Sequence, residues 1–225
     1  MNTFVAVILT APLIGPLDDA PLIKADGRES LLRAVELFVN REGVSRVLLV
    51  VPGSRAEEYK RKVGGHLSFM GVRIVTGGES FFDQLKTARE QLDPGTTHVL
   101  VHDAARPAVP YTDLDALAAA AERHPVAALA IPVAGPLLNV GRVSGAATLG
   151  GDRVAQLVTP IAFDIAALDA AIADGALPGS LQWIEGSPLN LRCGQASAGL
   201  MKAMIGLLPK PKVKAPSSPF EEAQW

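Results

Sequence analysis

Short apolar segments rich in β-branched residues recur along the first part of the chain. Each is continuous rather than alternating, a pattern typical of strands that are buried on both faces of a sheet. They are Phe4–Leu9, Arg46–Val51, Val72–Val75, His98–His102 and Ala127–Val133. Segments with the spacing of amphipathic helices lie between and after them. These are Ser30–Phe38, Ala56–Val63, Phe81–Leu92, Leu114–Arg123, Ile165–Ile172 and Ala198–Leu207.

Strands that alternate with helices predict βαβ units, and therefore an α/β fold with a mostly parallel sheet and flanking helices. Ligands of such sheets bind beyond the carboxyl ends of the strands, here the loops 10–27, 76–80 and 103–111. Two regions break the pattern. Residues 135–158 are rich in glycine and predict a small β-arm, and residues 209–225 predict a loose tail. We therefore expect one domain over residues 1–208, followed by the tail.

Composition narrows the classes of function. Hydrophobic residues make up 48% of the 225 residues and charged residues 20%, so a sizeable core is expected. The net charge of -2 gives no general electrostatic attraction to nucleic acid or to a membrane surface. The single cysteine, Cys193, excludes an internal disulfide. The first residues lack a basic segment, and Val5–Leu9 is too short to span a bilayer, so a cytoplasmic location is expected.

The sharpest local feature is a buried strand that ends directly in an aspartate, two small residues and an arginine, within Val99–Pro107. Asp103, just past the strand, is well placed to hold Mg²⁺, which prefers oxygen ligands. Ala104 allows a nucleotide to approach the main chain, and Arg106 offers a planar fork suited to a phosphate. The alternative is structural, with Asp103 capping the following turn and Arg106 pairing with it.

The segment Val101–Pro107 reads V-H-D-A-A-R-P and resembles the signature of the 2-C-methyl-D-erythritol 4-phosphate cytidylyltransferase family. Three further segments resemble motifs of that family, in the same order. They are Gly77-Gly78-Glu79 (family G-G-D/E-x-R), Thr159-Pro160 with Phe163 (Q-T-P-Q-x-F) and Glu185–Arg192 (E/D-G-x-x-x-N-x-K). The resemblance runs from about Val5 to Leu207, nearly the whole chain.

The resemblance implies a Rossmann-like fold, a homodimer joined through the β-arm, and transfer of CMP from CTP to a sugar-alcohol phosphate with Mg²⁺, in isoprenoid precursor synthesis. It implies that Asp103 binds the metal and that Asp103, Arg106 and Arg192 are catalytic. Its nucleotide-binding residues correspond to Ala11 and Gly15 in the first loop, Gly77, Gly78 and Glu79 in the second, and Ala104.

The first loop departs from the family's A-A-G-x-G-x-R segment. Pro12 and Pro16 have no N–H to donate to a phosphate oxygen, and Asp18 and Asp19 would repel a triphosphate. A leucine stands where the family has a lysine after proline. Lys24, two positions later, is the nearest candidate to replace that lysine, and the alternative is that Lys24 is a solvated surface residue.

Other positions also depart from the family. Phe81 replaces an arginine and Gln84 a serine, and the arginine of the arm corresponds to Gly151. Arg153, two residues away and on the same face of a strand, is its candidate substitute. Because one preorganised charge typically contributes about 10²–10³-fold in rate, weak or lost activity is expected. Three hypotheses stay open: a divergent but active nucleotidyltransferase, a pseudoenzyme that binds a nucleotide or phosphate, and a scaffold protein on the same fold.

Overall fold

Strands and helices alternate along the chain in the computed structural model, which describes residues 4–39, 41–133, 137–140, 146–149, 154–194 and 198–208. The strands are β1 (Phe4–Leu9), β2 (Lys24–Ala25), β3 (Arg28–Glu29), β4 (Val44–Pro52), β5 (Arg73–Gly77), β6 (His98–Asp103), β7 (Val126–Pro132), β8 (Leu137–Val140), β9 (Ala146–Leu149), β10 (Ala155–Asp164) and β11 (Gln182–Glu185). The helices are α1 (Ser30–Glu36), α2 (Ala56–Phe69), α3 (Phe81–Arg89), α4 (Tyr111–Ala121), α5 (Ile165–Asp174) and α6 (Ala198–Leu207).

The main sheet has seven strands in the order β11-β7-β10-β6-β1-β4-β5. Strand β1 pairs in parallel with β4 and β6, β4 pairs in parallel with β5, and β7 with β11. Strand β10 runs antiparallel between β6 and β7. These pairings confirm the predicted α/β fold with a mostly parallel sheet. All five predicted strands are present, as β1, β4, β5, β6 and β7.

Both faces of this sheet are covered, which explains the continuous apolar segments. Successive residues of β1 point to opposite faces, so that Phe4 and Ile8 pack into one core cluster and Val5 and Leu9 into the other. Helices α1, α2 and α4 complete the first cluster, and α3 and α5 complete the second. Because they run in parallel, strands β1, β4, β5 and β6 end along one edge of the sheet.

The hydrophobic pattern does not predict β10, although Val158, Ile161 and Phe163 of this strand are almost fully buried. Pro160 interrupts the apolar run, and proline is uncommon in central strands because it cannot donate a ladder hydrogen bond. The ladder with β7 shifts register between Val158 and Ile161, so the strand passes Pro160 at an irregularity. In the sequence, this stretch is distinguished only by the motif at Thr159-Pro160 and Phe163.

The predicted β-arm over residues 135–158 is divided by the structure. Strands β8 and β9 form an antiparallel hairpin, as expected of an arm. Residues 155–158 instead begin β10, because they continue its ladder with β7 and Val158 is buried in the core. The predicted tail at residues 209–225 lies outside the described residues. Among the described helices, none is both long enough and apolar enough to cross a membrane.

A third, smaller cluster of buried side chains lies at the carboxyl edge of β1 and β6. It joins the loop after β1, the segment after β6 and helix α6. Its buried members are Ala20, Ala25, Ala105, Ala108, Cys193, Met201 and Met204. The main-chain N–H of Cys193 also donates to the carbonyl of Ala105, at 2.7 Å. This packing brings three distant segments together where a ligand of the sheet would bind.

The burial of β10 can be tested by removing one ring. Phe163 is fully buried in the second core cluster, so we expect Phe163→Ala to lower the free energy of unfolding by about 3–5 kcal/mol. Phe69, at the end of α2, is 94% exposed and provides the matched control. Phe69→Ala should change this free energy by less than about 0.5 kcal/mol. Equal losses in chemical denaturation would contradict the position of β10.

Candidate functional site

The carboxylate of Asp103 lies at the end of β6, beside Leu9 at the end of β1. Its side chain is only 5% exposed. Arg192 donates from Nε to Oδ2 of Asp103 at 2.7 Å, and Arg106 Nε lies 3.8 Å from the same oxygen. The structure thus brings together three of the residues that the sequence analysis assigned to catalysis. They form one cluster, a buried carboxylate between two guanidinium groups.

The same cluster also contains the contacts expected if Asp103 and Arg106 have a structural role. Oδ1 of Asp103 accepts a hydrogen bond from the main-chain N–H of Ala105 at 2.8 Å, which caps the turn. The ion pair between Asp103 and Arg106 spans this turn. Asp103 therefore stabilises the loop after β6 and also anchors two cations. Its two roles do not exclude each other, because the two carboxylate oxygens have different partners.

Arg192 connects Asp103 to the loop after β1. Its Nη1 and Nη2 donate to the two carboxylate oxygens of Asp18, at 2.5 and 3.0 Å. This is the two-pronged arrangement in which a guanidinium binds a carboxylate or a phosphate. Burial favours a lower pKa for Arg192, but its hydrogen bonds to Asp18 and Asp103 outweigh that effect and raise the pKa. Partial burial acts to raise the pKa of Asp18. The contact with Arg192 acts in the opposite direction, and the pKa is lowered.

A buried polar network holds the end of β6 in place. The hydroxyl of Thr159 accepts from the N–H of Asp103 at 3.0 Å and lies 3.2 Å from Nδ1 of His102. Nε2 of His102 lies 2.9 Å from the carbonyl of Arg106. Because a carbonyl only accepts, Nε2 carries the proton, and Thr159 donates to Nδ1. Burial lowers the pKa of His102 to about 3, so the imidazole is neutral.

Asn190 extends this network to the segment after β11. Its Nδ2 donates to the carbonyl of Thr159 at 2.7 Å, and its own carbonyl accepts from Nη1 of Arg106 at 2.6 Å. Thr159 and Asn190 are motif residues that were not among the predicted site residues. Their positions within two of the matched segments were the signal that would have found them.

The predicted nucleotide-binding loop already has protein partners for its main chain. Oε1 of Gln84 accepts from the N–H groups of Thr10, at 3.0 Å, and Ala11, at 3.1 Å. Gly15 is exposed and has a φ of +100°, which favours glycine. Its role in this structure is thus to allow the path of the loop. Ala11 is buried, and its N–H faces Gln84.

Gly77, Gly78 and Glu79, also predicted at the nucleotide, make contacts within the protein. A Cβ at Gly77 would lie 2.6 Å from a methyl group of β4, and one at Gly78 would lie 2.3 Å from Cβ of Asp83. Gly77 is therefore required mainly by its packing against β4, and Gly78 by the packing of α3. Glu79 accepts from the N–H and the hydroxyl of Ser54, at 3.2 and 2.9 Å, which joins the turns after β4 and β5.

The remaining predicted site residues have different surroundings. Ala104 is fully buried, and its N–H donates to the carbonyl of Leu9 at 2.8 Å. Lys24 is exposed on β2 and makes no ion pair with any residue that the structure describes, as the surface alternative expects. Arg153 lies outside the described residues. Of the predicted cations that the structure describes, Arg106 and Arg192 are thus the two beside Asp103.

Arg55, directly after β4, is a cation at this edge that the sequence analysis did not assign. It donates to the carbonyl of Asp18 at 3.0 Å and to the carboxylate of Asp19 at 2.6 Å. A hydrogen bond to Glu58 is the main reason why the pKa of Arg55 is raised. The available signal was its place just past a strand end. Both aspartates that the sequence analysis expected to repel a triphosphate are therefore paired with arginines.

A mostly parallel α/β sheet with a carboxylate and two arginines at its carboxyl edge defines a Rossmann-like protein whose site suits a phosphate-bearing ligand. The model of the 2-C-methyl-D-erythritol 4-phosphate cytidylyltransferase family matches residues 19–197. The chain belongs to this family.

Relatives with this name occur in several bacteria. The chain is 32% identical to the protein of Frankia casuarinae over 151 residues, which cover 65% of this chain and 54% of that protein. It is also 32% identical to the protein of Streptomyces avermitilis over 161 residues, covering 67% of this chain and 64% of that protein. The matched part thus spans between half and two thirds of these relatives.

Solved structures share the fold over nearly the whole chain. The 4-diphosphocytidyl-2C-methyl-D-erythritol synthase of Anaerococcus prevotii superposes with a TM-score of 0.71 at 17% identity, covering 91% of this chain and 96% of that one. The 2-C-methyl-D-erythritol 4-phosphate cytidylyltransferase of Thermus thermophilus gives a TM-score of 0.68 at 20% identity, covering 89% and 98%. At these identities the likeness supports the fold.

The neutral state of His102 predicts a pH dependence of stability. Its pKa is about 3 in the folded protein and 6.5 ordinarily. The unfolded chain therefore binds the extra proton between these values, and stability falls as the pH drops below about 6.5. We expect the wild type to lose about 2 kcal/mol more than His102→Gln between pH 7 and pH 5, in chemical denaturation. Parallel curves for the two proteins would contradict a neutral, buried His102.

Proposed function

We propose that the chain transfers CMP from CTP to 2-C-methyl-D-erythritol 4-phosphate, as its family name describes, at a rate reduced by its altered loop. An oxygen of the substrate phosphate attacks the α-phosphorus of CTP and forms the new P–O–P link. The bond from that phosphorus to the bridging oxygen of the β-phosphate breaks, and pyrophosphate leaves with the electron pair. The observation that carries this proposal is the cluster of Asp103, Arg106 and Arg192 at the carboxyl edge of the sheet.

The two arginines have different tasks in this proposal. Arg106 is buried and held by Asn190, so it contributes a positioned positive charge. Arg192 presents Nη1 and Nη2 to Asp18, whose side chain is 43% exposed. A phosphate that displaces Asp18 would meet both nitrogen atoms in the geometry that a guanidinium uses for phosphate. Arg192 would then stabilise the charge that develops as pyrophosphate leaves.

Mg²⁺ would be held by Asp103. Among the residues that the structure describes, no three carboxylate, histidine or cysteine side chains converge to hold a metal by themselves. One carboxylate is sufficient for a magnesium ion that takes its other ligands from nucleotide phosphates and water, so the donor set fits an ion that arrives with CTP. When bound, Mg²⁺ neutralises charge on the triphosphate. Oδ2 of Asp103 already accepts a hydrogen bond from Arg192 and would have to bind the ion as well.

A reduced rate follows from the first loop. Pro12 and Pro16 offer no N–H to a phosphate oxygen. Fewer donors are therefore free to bind phosphate oxygens than in a glycine-rich loop. Catalysis of this kind depends on positioning and charge stabilisation, so each lost donor lowers the rate rather than changing the reaction.

The proposal is tested by pyrophosphate release from CTP, Mg²⁺ and 2-C-methyl-D-erythritol 4-phosphate. We expect release by the wild type and a loss of about 100-fold or more in Asp103→Asn, which keeps the shape of the side chain and removes its charge. Asp93→Asn is the matched control, because Asp93 has a 74% exposed side chain in the loop before β6. Its rate should equal that of the wild type. A wild type that releases pyrophosphate no faster than Asp103→Asn does would contradict transfer.

Binding of a nucleotide or phosphate without transfer is the second candidate function. It is favoured by one observation. The carboxylate of Asp18 already accepts hydrogen bonds from both η nitrogens of Arg192, in the position proposed for a phosphate. The protein would then exchange its own carboxylate for a ligand without completing a reaction. Binding of triphosphate by a wild type that releases no pyrophosphate would support this candidate.

Both candidate functions require a phosphate to compete with Asp18. We expect Asp18→Asn to raise the affinity for inorganic triphosphate by about fivefold, because the competing carboxylate is partly exposed and its ion pair is of moderate strength. Isothermal titration calorimetry measures this directly. Asp93→Asn should bind as the wild type does. An affinity that is unchanged or lower in Asp18→Asn would mean that phosphate does not bind at Arg192.

A further inference from the structure

The carboxamide of Gln84 is buried against the loop after β1 and the turn after β5. It has no exposed surface. Oε1 accepts from the N–H groups of Thr10 and Ala11, at 3.0 and 3.1 Å. Nε2 donates to the hydroxyl of Thr10 and to the carbonyl of Gly78, both at 3.2 Å. One side chain thus satisfies two main-chain donors and one main-chain acceptor from two loops at the carboxyl edge of the sheet.

The position of this carboxamide is set by the start of α3. Ser80 caps the helix by accepting from the N–H of Asp83 at 3.2 Å, and its hydroxyl donates to the Asp83 carboxylate at 2.6 Å. The N–H of Gln84 donates to the carbonyl of Ser80 at 3.0 Å. Gly78 admits this helix closely, since a Cβ there would lie 2.3 Å from Cβ of Asp83. Gln84 is therefore placed one turn into a well-anchored helix.

The hydrogen-bonding pattern of this side chain is also that of a nucleobase edge. A carboxamide carries an acceptor oxygen beside an amino group that donates. Cytosine carries ring and carbonyl acceptors beside its amino donor, whereas the corresponding position of uracil is an acceptor. The groups around Gln84, two N–H donors and one carbonyl, complement the first pattern. They lie where open α/β sheets bind their ligands, and they include residues predicted to bind the nucleotide.

We propose that Gln84 forms the hydrogen bonds that a nucleobase would otherwise form with these main-chain groups, and thereby determines nucleotide specificity. This inference rests on the proposed function, and it concerns only the base of the nucleotide. With Gln84 in place, the chain recognises a nucleoside triphosphate through its phosphates and does not distinguish one pyrimidine base from the other. Shortening this side chain frees the N–H of Ala11 and the carbonyl of Gly78 to bind cytosine. The N–H of Thr10 keeps its second acceptor, the carbonyl of Val50 at 3.2 Å.

The test compares the wild type with Gln84→Ser and Gln84→Met in binding CTP, UTP and inorganic triphosphate by calorimetry. We expect the wild type to bind CTP and UTP with affinities within about threefold of each other. Gln84→Ser should prefer CTP over UTP by about tenfold or more, as expected for one or two added hydrogen bonds. Gln84→Met, which keeps the volume of the side chain without its polar atoms, should gain no such preference.

Thermal unfolding of each variant shows whether it is folded. If Gln84→Ser is not folded, Gln84→Asn replaces it, because asparagine keeps the helix start and withdraws the carboxamide by one methylene. A wild type that already prefers CTP over UTP by tenfold would overturn the inference, and so would folded shortened variants without that preference.

The two proposals fail in different ways. Pyrophosphate release by the wild type with CTP but not with UTP would support transfer and overturn the role of Gln84. A wild type without pyrophosphate release, together with a preference for CTP in Gln84→Ser, would overturn transfer and support the role of Gln84.

Discussion

Arg192 binds two carboxylates that lie in distant parts of the chain, Asp103 at the end of β6 and Asp18 in the loop after β1. A carboxylate as buried as that of Asp103 is costly unless it is paired and hydrogen-bonded, and Arg192 supplies much of that pairing. The position of the loop depends on the same guanidinium. With Arg106, the cluster contains two carboxylates and two guanidinium groups, so its charges balance. A phosphate that binds Arg192 as proposed would therefore compete with Asp18.

The site has a rigid side and an exchangeable side. On the rigid side, His102, Thr159 and Asn190 form a buried network that holds Asp103 and Arg106 through hydrogen bonds of 2.6–3.2 Å. These side chains are hydrogen-bonded to one another, although Oδ1 of Asn190 has no partner among the described residues, and a neutral histidine adds no charge to the network. On the exchangeable side, the exposed carboxylate of Asp18 binds the guanidinium group of Arg192. The carboxylate proposed to hold Mg²⁺ thus lies on the rigid side, and the altered loop lies on the exchangeable side.

Much of the fold follows from patterns that are local in the sequence. The continuous apolar segments predict strands covered on both faces, and β1, β4, β5, β6 and β7 are those strands. The contact between Asp103 and Arg106 is also local, since three positions separate them across one turn. Strand β10 could not be predicted in this way. Its apolar run is interrupted by Pro160, and only its ladders with β6 and β7 decide that it lies in the middle of the sheet.

The sequence by itself determined the class of fold, the strand that ends in Asp103, and the chemical types available at the site. It also identified Gln84 and Asp18 as departures from the family. Only the tertiary structure decided what these residues do, because Gln84 lies 73 positions from Ala11, and Asp18 lies 174 positions from Arg192. A hydrogen bond acts over about 3 Å, so its partners are chosen by how helices and loops pack on the sheet. The periodicity of the chain carries no information at that distance.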